Sequence, residues 1–188
     1  LSTARAIVTS STTAMTGATA TAEIYDISGQ QISKASKPVS LAGGAITAPM
    51  DFGISAAVAT YKVIIVKLSL TAADGAELSR NVYWQGADEA SLQALNTLPQ
   101  QDITLTADKT ATGLTVTLSN PSATVVLENK LTLLDDKGNR ILPAYYSDNY
   151  ISLVPGERRT LTIDYQASGP VQLALRGWNA KEKTVAGP

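Results

Sequence analysis

The sequence predicts an all-β protein built from two β-sandwiches in tandem. Three observations carry this. Apolar residues recur with a period of two, so each run is a strand with one buried and one wet face. Turn signals separate the runs at short intervals. Segments also repeat in order: "IYDISGQQI" from Ile24 resembles "LLDDKGNRI" from Leu133, "VSLAGGAITAPMDF" from Val39 resembles "ISLVPGERRTLTIDY" from Ile151, and "YKVIIVKLSL" from Tyr61 falls opposite "VQLALRGW" from Val171. The shared offset, near 110 residues, indicates two related units.

In chain order, Ala20, Ala22 and Ile24 alternate with Thr19, Thr21, Glu23 and Tyr25. Asp26-Ile27-Ser28-Gly29 then makes a hairpin turn, with Gly supplying positive φ and Asp bonding the local backbone. "SLAGGAITAPMDFGISAAVATY" is weakly patterned. The apolar run Val63–Val66 opens a strand, Asp74-Gly75 turns it, and "ELSRNVYWQ" closes the first sandwich. "GADEASLQALNTLPQ" cannot continue a strand: its leucines, Leu92, Leu95 and Leu98, recur at helical spacing, and Pro99 disfavours helix before it. Residues 80 to 105 are therefore a seam with one or two short helical turns. A strand starts near Asp102. Leu114, Val116 and Leu118 alternate with threonines, as do Leu161 and Ile163 leading to Tyr165; Val171, Leu173 and Leu175 form the last set. Asp136-Lys137-Gly138-Asn139 is a further hairpin turn, and Pro155-Gly156 fits the centre of a type II turn. The expected divisions are 1–86, a linker at 87–101 and 102–188.

Composition narrows the chemistry. The chain has 188 residues, 44% hydrophobic and 16% charged, with a net charge of -1. No basic face marks a nucleic-acid or anionic-membrane partner, and the longest apolar run is far too short to span a bilayer. With no Cys and no His, the chain holds no disulfide, thiolate or imidazole metal site, Ser-His-Asp triad or histidine base. No cofactor is expected. A chain that opens at Leu1, without Met or a charged-then-apolar leader, is expected to be a mature product or an excised fragment.

Two stretches stand out as candidate sites. Tyr83-Trp84 could stack on a sugar; alternatively one ring faces the core and the other an inter-domain contact, since strand neighbours point to opposite faces. With Leu92 and Leu95, this pair is assigned to the inter-domain seam. "AYYSDNYISLVPGERR" gathers Tyr145, Tyr146 and Tyr150 around Ser147, Asp148 and Asn149. It is either a loop offering aromatic faces and hydrogen bonds to a saccharide or another domain, or a tight connection whose polar groups satisfy the backbone. A glycosidase needs two carboxylates facing each other across about 5 to 10 Å. Asp135 and Asp136 suit a solvated tip instead, and Asp148 and Glu157 flank a connection. Calcium at these tips lacks any EF-hand spacing.

The series "LSLTAADGAELSRNVYW", "ALNTLPQQDITL", "LTLLDDKGNRILPAYYSDNYISLVPGERRTLTIDY" and "LRGWN" resembles the C-terminal immunoglobulin-like domains of glycoside hydrolase family 2, in its exo-β-glucosaminidase and β-mannosidase branch. The resemblance covers nearly the whole chain, most closely 67–98 and 127–165. Residues 1–20, rich in Ala, Ser and Thr, depart from the pattern. The resemblance implies two tandem immunoglobulin-like sandwiches, non-catalytic and C-terminal in a retaining exo-hydrolase whose two catalytic glutamates belong to a (β/α)8 barrel. That barrel is missing here, so no catalytic residue carries over, and a secreted or periplasmic location is implied. The sandwiches would buttress the barrel, with Tyr145, Tyr146, Asp148, Asn149 and Tyr150 as substrate-rim or sugar-contact candidates. The alternative is a free-standing carbohydrate-binding or adhesive module; a cell-surface spacer comes third.

Overall fold

One long antiparallel sheet organises the first half of the chain. The computed structural model describes residues 4–10, 13–167 and 169–188. Residues 1–3 and 11–12 of the expected first sandwich, and residue 168 of the second, lie outside the described residues. The chain divides into two compact units, 1–97 and 98–188.

In the first unit, β1 (Met15–Asp26), β2 (Gln31–Leu41), β3 (Val63–Thr71) and β4 (Glu77–Gly86) lie in the order β2-β1-β3-β4. The period-two pattern places Ala18, Ala20, Ala22 and Ile24 in the core. Val63–Val66 of β3 are buried on both faces of the strand, which is why that run does not alternate. Among the described residues the layer opposite the sheet is not a second full sheet. It consists of isolated bridges, Ala6 to Met50 and Thr9 to Ile46, together with helix α1 (Ile54–Tyr61). The period-two reading missed α1, although alanines, the best helix formers, make up three of its eight residues. Lys62 ends the helix at φ 67°, its N–H bonded to Val58 O, and its ammonium caps Ala59 O at 2.9 Å. Three small alanines leave a shallow sheet surface, and α1 fits it with Ile54, Ala57 and Val58.

After β4 come α2 (Glu89–Leu92) and a 3₁₀ turn over Gln93–Thr97. Asp88 caps α2 by accepting from Ser91 N–H at 2.7 Å. Leu98–Gln101 then enter the second unit.

The second unit is a complete sandwich. One sheet holds β5 (Thr104–Lys109), β6 (Gly113–Ser119), β10 (Arg158–Tyr165) and β8 (Ala144–Tyr146), in the order β5-β6-β10-β8. The other holds β12 (Lys183–Ala186), β11 (Val171–Arg176), β7 (Val126–Asp135) and β9 (Ile151–Leu153), in the order β12-β11-β7-β9. Leu114, Val116, Leu118, Leu161 and Ile163 meet Leu131, Leu133, Ile151, Leu173 and Leu175 in one buried cluster, as aligned sheets require.

The repeat is visible in the geometry. β2-β1-β3-β4 corresponds to β9-β7-β11-β12, and Ile24 pairs Val66 as Leu133 pairs Leu173. The turns after β1 and β7 are the same device. Asp26 Oδ1 accepts from Ser28 and Gln30 N–H, and Asp135 Oδ1 accepts from Lys137 and Asn139 N–H, all within 3.0 Å. Gly29 and Gly138, three residues on, adopt φ 96° and 83°. Asp135, not Asp136, is thus the residue that caps the second turn. The chain after it does not return as a full hairpin partner: an isolated bridge joins Arg140 to Leu134, and Ile141 N–H donates to Leu133 O at 3.1 Å.

Candidate functional site

The tyrosine-rich loop leaves β8 and enters β9, and most of its polar groups are spent on the backbone. Ser147 N–H donates to Thr162 O, and Thr162 N–H donates to Ser147 Oγ, both at 2.9 Å. Asn149 acts as a substitute strand. Its Oδ1 accepts from Leu131 N–H at 2.8 Å and its Nδ2 donates to Leu131 O at 3.0 Å, supplying the edge of β7 with the pairing that a backbone would give. Tyr146 Oη accepts from Leu133 N–H at 2.8 Å. Burial pushes its phenol above the ordinary tyrosine range, against the opposing pull of that N–H. Asn149 and Tyr146 therefore pin the loop to β7.

Tyr145, Asp148 and Tyr150 face solvent. Asp148 Oδ1 accepts from Asn149 N–H. Tyr150 holds φ 56°, with Lys130 Nζ 5.2 Å from its ring centre. Tyr145 is 68% exposed and lines an open groove of about 1400 Å³ with Pro143, Tyr165, Asp164, Thr112 and Lys109. Asp164 was not singled out from the sequence, because its alternation in "TLTIDY" marked only the wet face of a strand. Trp178, also exposed, is a further aromatic that the sequence reading did not select.

The other candidates are placed as follows. Tyr83 and Trp84 are 46% and 40% exposed, Leu95 is buried, and Leu92 lies against Gly86. Glu157 Oε2 accepts from Val154 N–H at 3.0 Å inside the predicted type II turn, where Gly156 has φ 72°. Glu128 and Glu23, outside the candidate set, are two of the perturbed carboxyls. Burial pushes Glu128 above the ordinary glutamate range, against a hydrogen bond from Ser152. At Glu23 burial also pushes upward, but Lys34 and Lys67, at 2.9 and 3.1 Å, outweigh it and hold the carboxyl below that range. Among the described residues no group of three His, Cys, Asp or Glu could hold a metal ion, and no helix is long and apolar enough to cross a membrane.

Buried asparagines were missed altogether. Asn120 Nδ2 donates to the carbonyls of Thr124, Leu153 and Val154. Asn179 accepts from Leu127 N–H and donates to Val125 O. In sequence, "SNPS" and "GWNA" look like ordinary turns, so no signal separates these residues from exposed ones.

Two immunoglobulin-like units, one a sheet covered by a helix and one a full sandwich, carry these exposed aromatics. The comparisons agree: residues 81–180 match the exo-β-D-glucosaminidase Ig-fold domain and residues 2–86 the mannosidase Ig/CBM-like domain. The chain belongs to the exo-β-D-glucosaminidase Ig-fold domain family, within the glycoside hydrolases. It is 31% identical to an exo-β-D-glucosaminidase of Streptomyces avermitilis over 95% of its length, and 30% identical to that of Amycolatopsis orientalis, again over 95%. It superposes on the Amycolatopsis orientalis exo-chitosanase CsxA with TM-score 0.84 and 27% identity, covering 99% of this chain. A β-D-mannosidase from Dictyoglomus thermophilum, 13% identical with TM-score 0.59, shares the fold. The chain spans only 23%, 20% and 25% of the first three proteins.

Proposed function

We propose that this chain is the non-catalytic C-terminal region of a family 2 glycoside hydrolase that releases terminal β-linked glucosamine. It buttresses a (β/α)8 barrel carried elsewhere in the parent protein and shapes the approach to the substrate entrance. The observation that carries this is coverage. Both units align end to end with exo-β-D-glucosaminidases, yet account for about a quarter of their length or less. Chemistry performed by the remaining three quarters needs no catalytic residue here. The parent acts outside the cytoplasm, as the family resemblance implies, and fractionation of producing cells tests that location.

The decisive experiment deletes residues 1–188 from the parent enzyme. Loss of soluble, active enzyme, or a drop in melting temperature of several degrees with kcat reduced, supports the buttress. Unchanged melting and unchanged kcat/KM on glucosamine oligomers would overturn it. Comparing glucosamine with mannose release separates the two branches of the family. A second reading, a carbohydrate-contacting module, is favoured by one observation: Tyr145 stands exposed on an open groove rather than in a core.

A further inference from the structure

We propose that the groove at the β8 edge of the second unit is a surface subsite for a β-linked amino-sugar oligosaccharide, stacked on Tyr145 and held through an ammonium group by Asp164. The site rests on strand register. Tyr145 of β8 pairs Asp164 of β10, which pairs Gly113 of β6. Register partners point to the same face, so ring and carboxylate stand side by side. Gly113 contributes no side chain and cannot acquire one, because a Cβ there would lie 1.9 Å from Ile163 O. Asp164 Oδ1 accepts from Thr112 Oγ1 at 2.5 Å. That bond anchors one oxygen of the carboxylate, and Asp164 lines the groove.

The chemistry favours a sugar over a peptide or a lipid. The lining sets rings (Tyr145, Tyr165, Pro143) beside threonine hydroxyls, the Gln166 amide and the single carboxylate of Asp164, among small loop residues, a mixture that suits a pyranose, apolar on its axial C–H face and polar at its rim. Lys109, the lining cation, stands on β5, three strands from Tyr145 in the sheet order. That is about 14 Å across the sheet. A protonated amino group stacked over Tyr145 meets the carboxylate and not the lysine, while hydroxyls of a neighbouring ring reach Lys109. The groove is open along its length, with about 1400 Å³ of space.

This deepens the carbohydrate-contact reading and is independent of the buttress, which the deletion experiment tests separately. The test titrates the 188-residue chain with the β-1,4-linked glucosamine tetramer near pH 6, followed by backbone NMR shifts. Saturable shifts at Gly113, Tyr145 and Asp164 are expected. Tyr145→Ala should weaken binding about tenfold without moving the melting temperature, because the ring is exposed. Asp164→Asn should weaken the glucosamine tetramer and leave a mannose tetramer unchanged, and Tyr83→Ala in the first unit should change neither. Flat spectra up to about 10 mM sugar, shifts located elsewhere, or full binding by Tyr145→Ala would overturn the subsite. Equal loss of both tetramers in Asp164→Asn would overturn the amino-sugar assignment. The wild-type shift map stands even if a variant folds poorly.

Discussion

The two units share a four-strand sheet and a turn, yet they build their second layers differently. In the second unit, β5, β6, β10 and β8 form a full opposing sheet, and both faces contribute branched aliphatics that interlock. In the first, alanines at 18, 20 and 22 take the core positions, and a short helix with Phe52 and two bridges covers them. Core side-chain size sets which layer fits. Interlocking leucines keep two sheets about 10 Å apart. An alanine face is shallower, and a short apolar helix fills it with less chain.

The comparison makes its largest prediction in the cores. Each unit carries one tryptophan, Trp84 or Trp178, so single-tryptophan variants report each unit separately in urea unfolding. Leu133→Ala, between two rigid sheets, should cost about 4 kcal/mol, and its repeat equivalent Ile24→Ala about 2.5, because a helical layer collapses more readily into the space left. Equal costs would show that the helical layer is no softer than a sheet.

Next comes the loop that only the second unit has. Asn149→Ala strips both backbone groups of Leu131 and should cost about 2 kcal/mol in the Trp178 signal alone. Tyr146→Phe leaves Leu133 N–H without its acceptor and should cost about 1 kcal/mol. If the Trp84 signal moves as much, the units do not unfold independently.

The shared turn sharpens the likeness instead. Gly29→Ala and Gly138→Ala each place a Cβ at positive φ and should each cost about 1 kcal/mol, in their own unit. Unequal losses would break the structural equivalence of the two turns.

The smallest effect has opposite signs in the two units. Glu23 has a lowered carboxyl in the fold, so its contribution is present above the ordinary glutamate range and is lost as pH falls through and below it. Glu128 has a raised one, so its contribution is present below that range and is lost as pH rises through it. Acidification from pH 7 to 4 should lower the melting temperature reported by Trp84 relative to that reported by Trp178. Glu23→Gln and Glu128→Gln should each flatten the corresponding profile.

What was legible in the sequence was local. Ala20–Ile24, Leu114–Leu118 and Leu161–Ile163 alternate because a strand turns its side chains over at every residue. Gly29, Gly75, Gly138 and Gly156 punctuate because only glycine adopts their positive φ without cost. The hydrophobic period, the turns and the repeat followed from residues within reach of one another along the chain.

Tertiary packing decided the rest. "ISAAVATY" became helix because an alanine-faced sheet offered it a surface, and nothing within that octapeptide records the sheet. Asn120, Asn149 and Asn179 became internal pins because unpaired carbonyls and N–H groups of distant strands converge on them, and a buried polar group must find a partner. Gly113, Tyr145 and Asp164 stand in one row because sheet order, not chain order, brings β6, β10 and β8 together. Side-chain period is a property of neighbouring residues, whereas a site is a property of strands that meet only once the chain has folded.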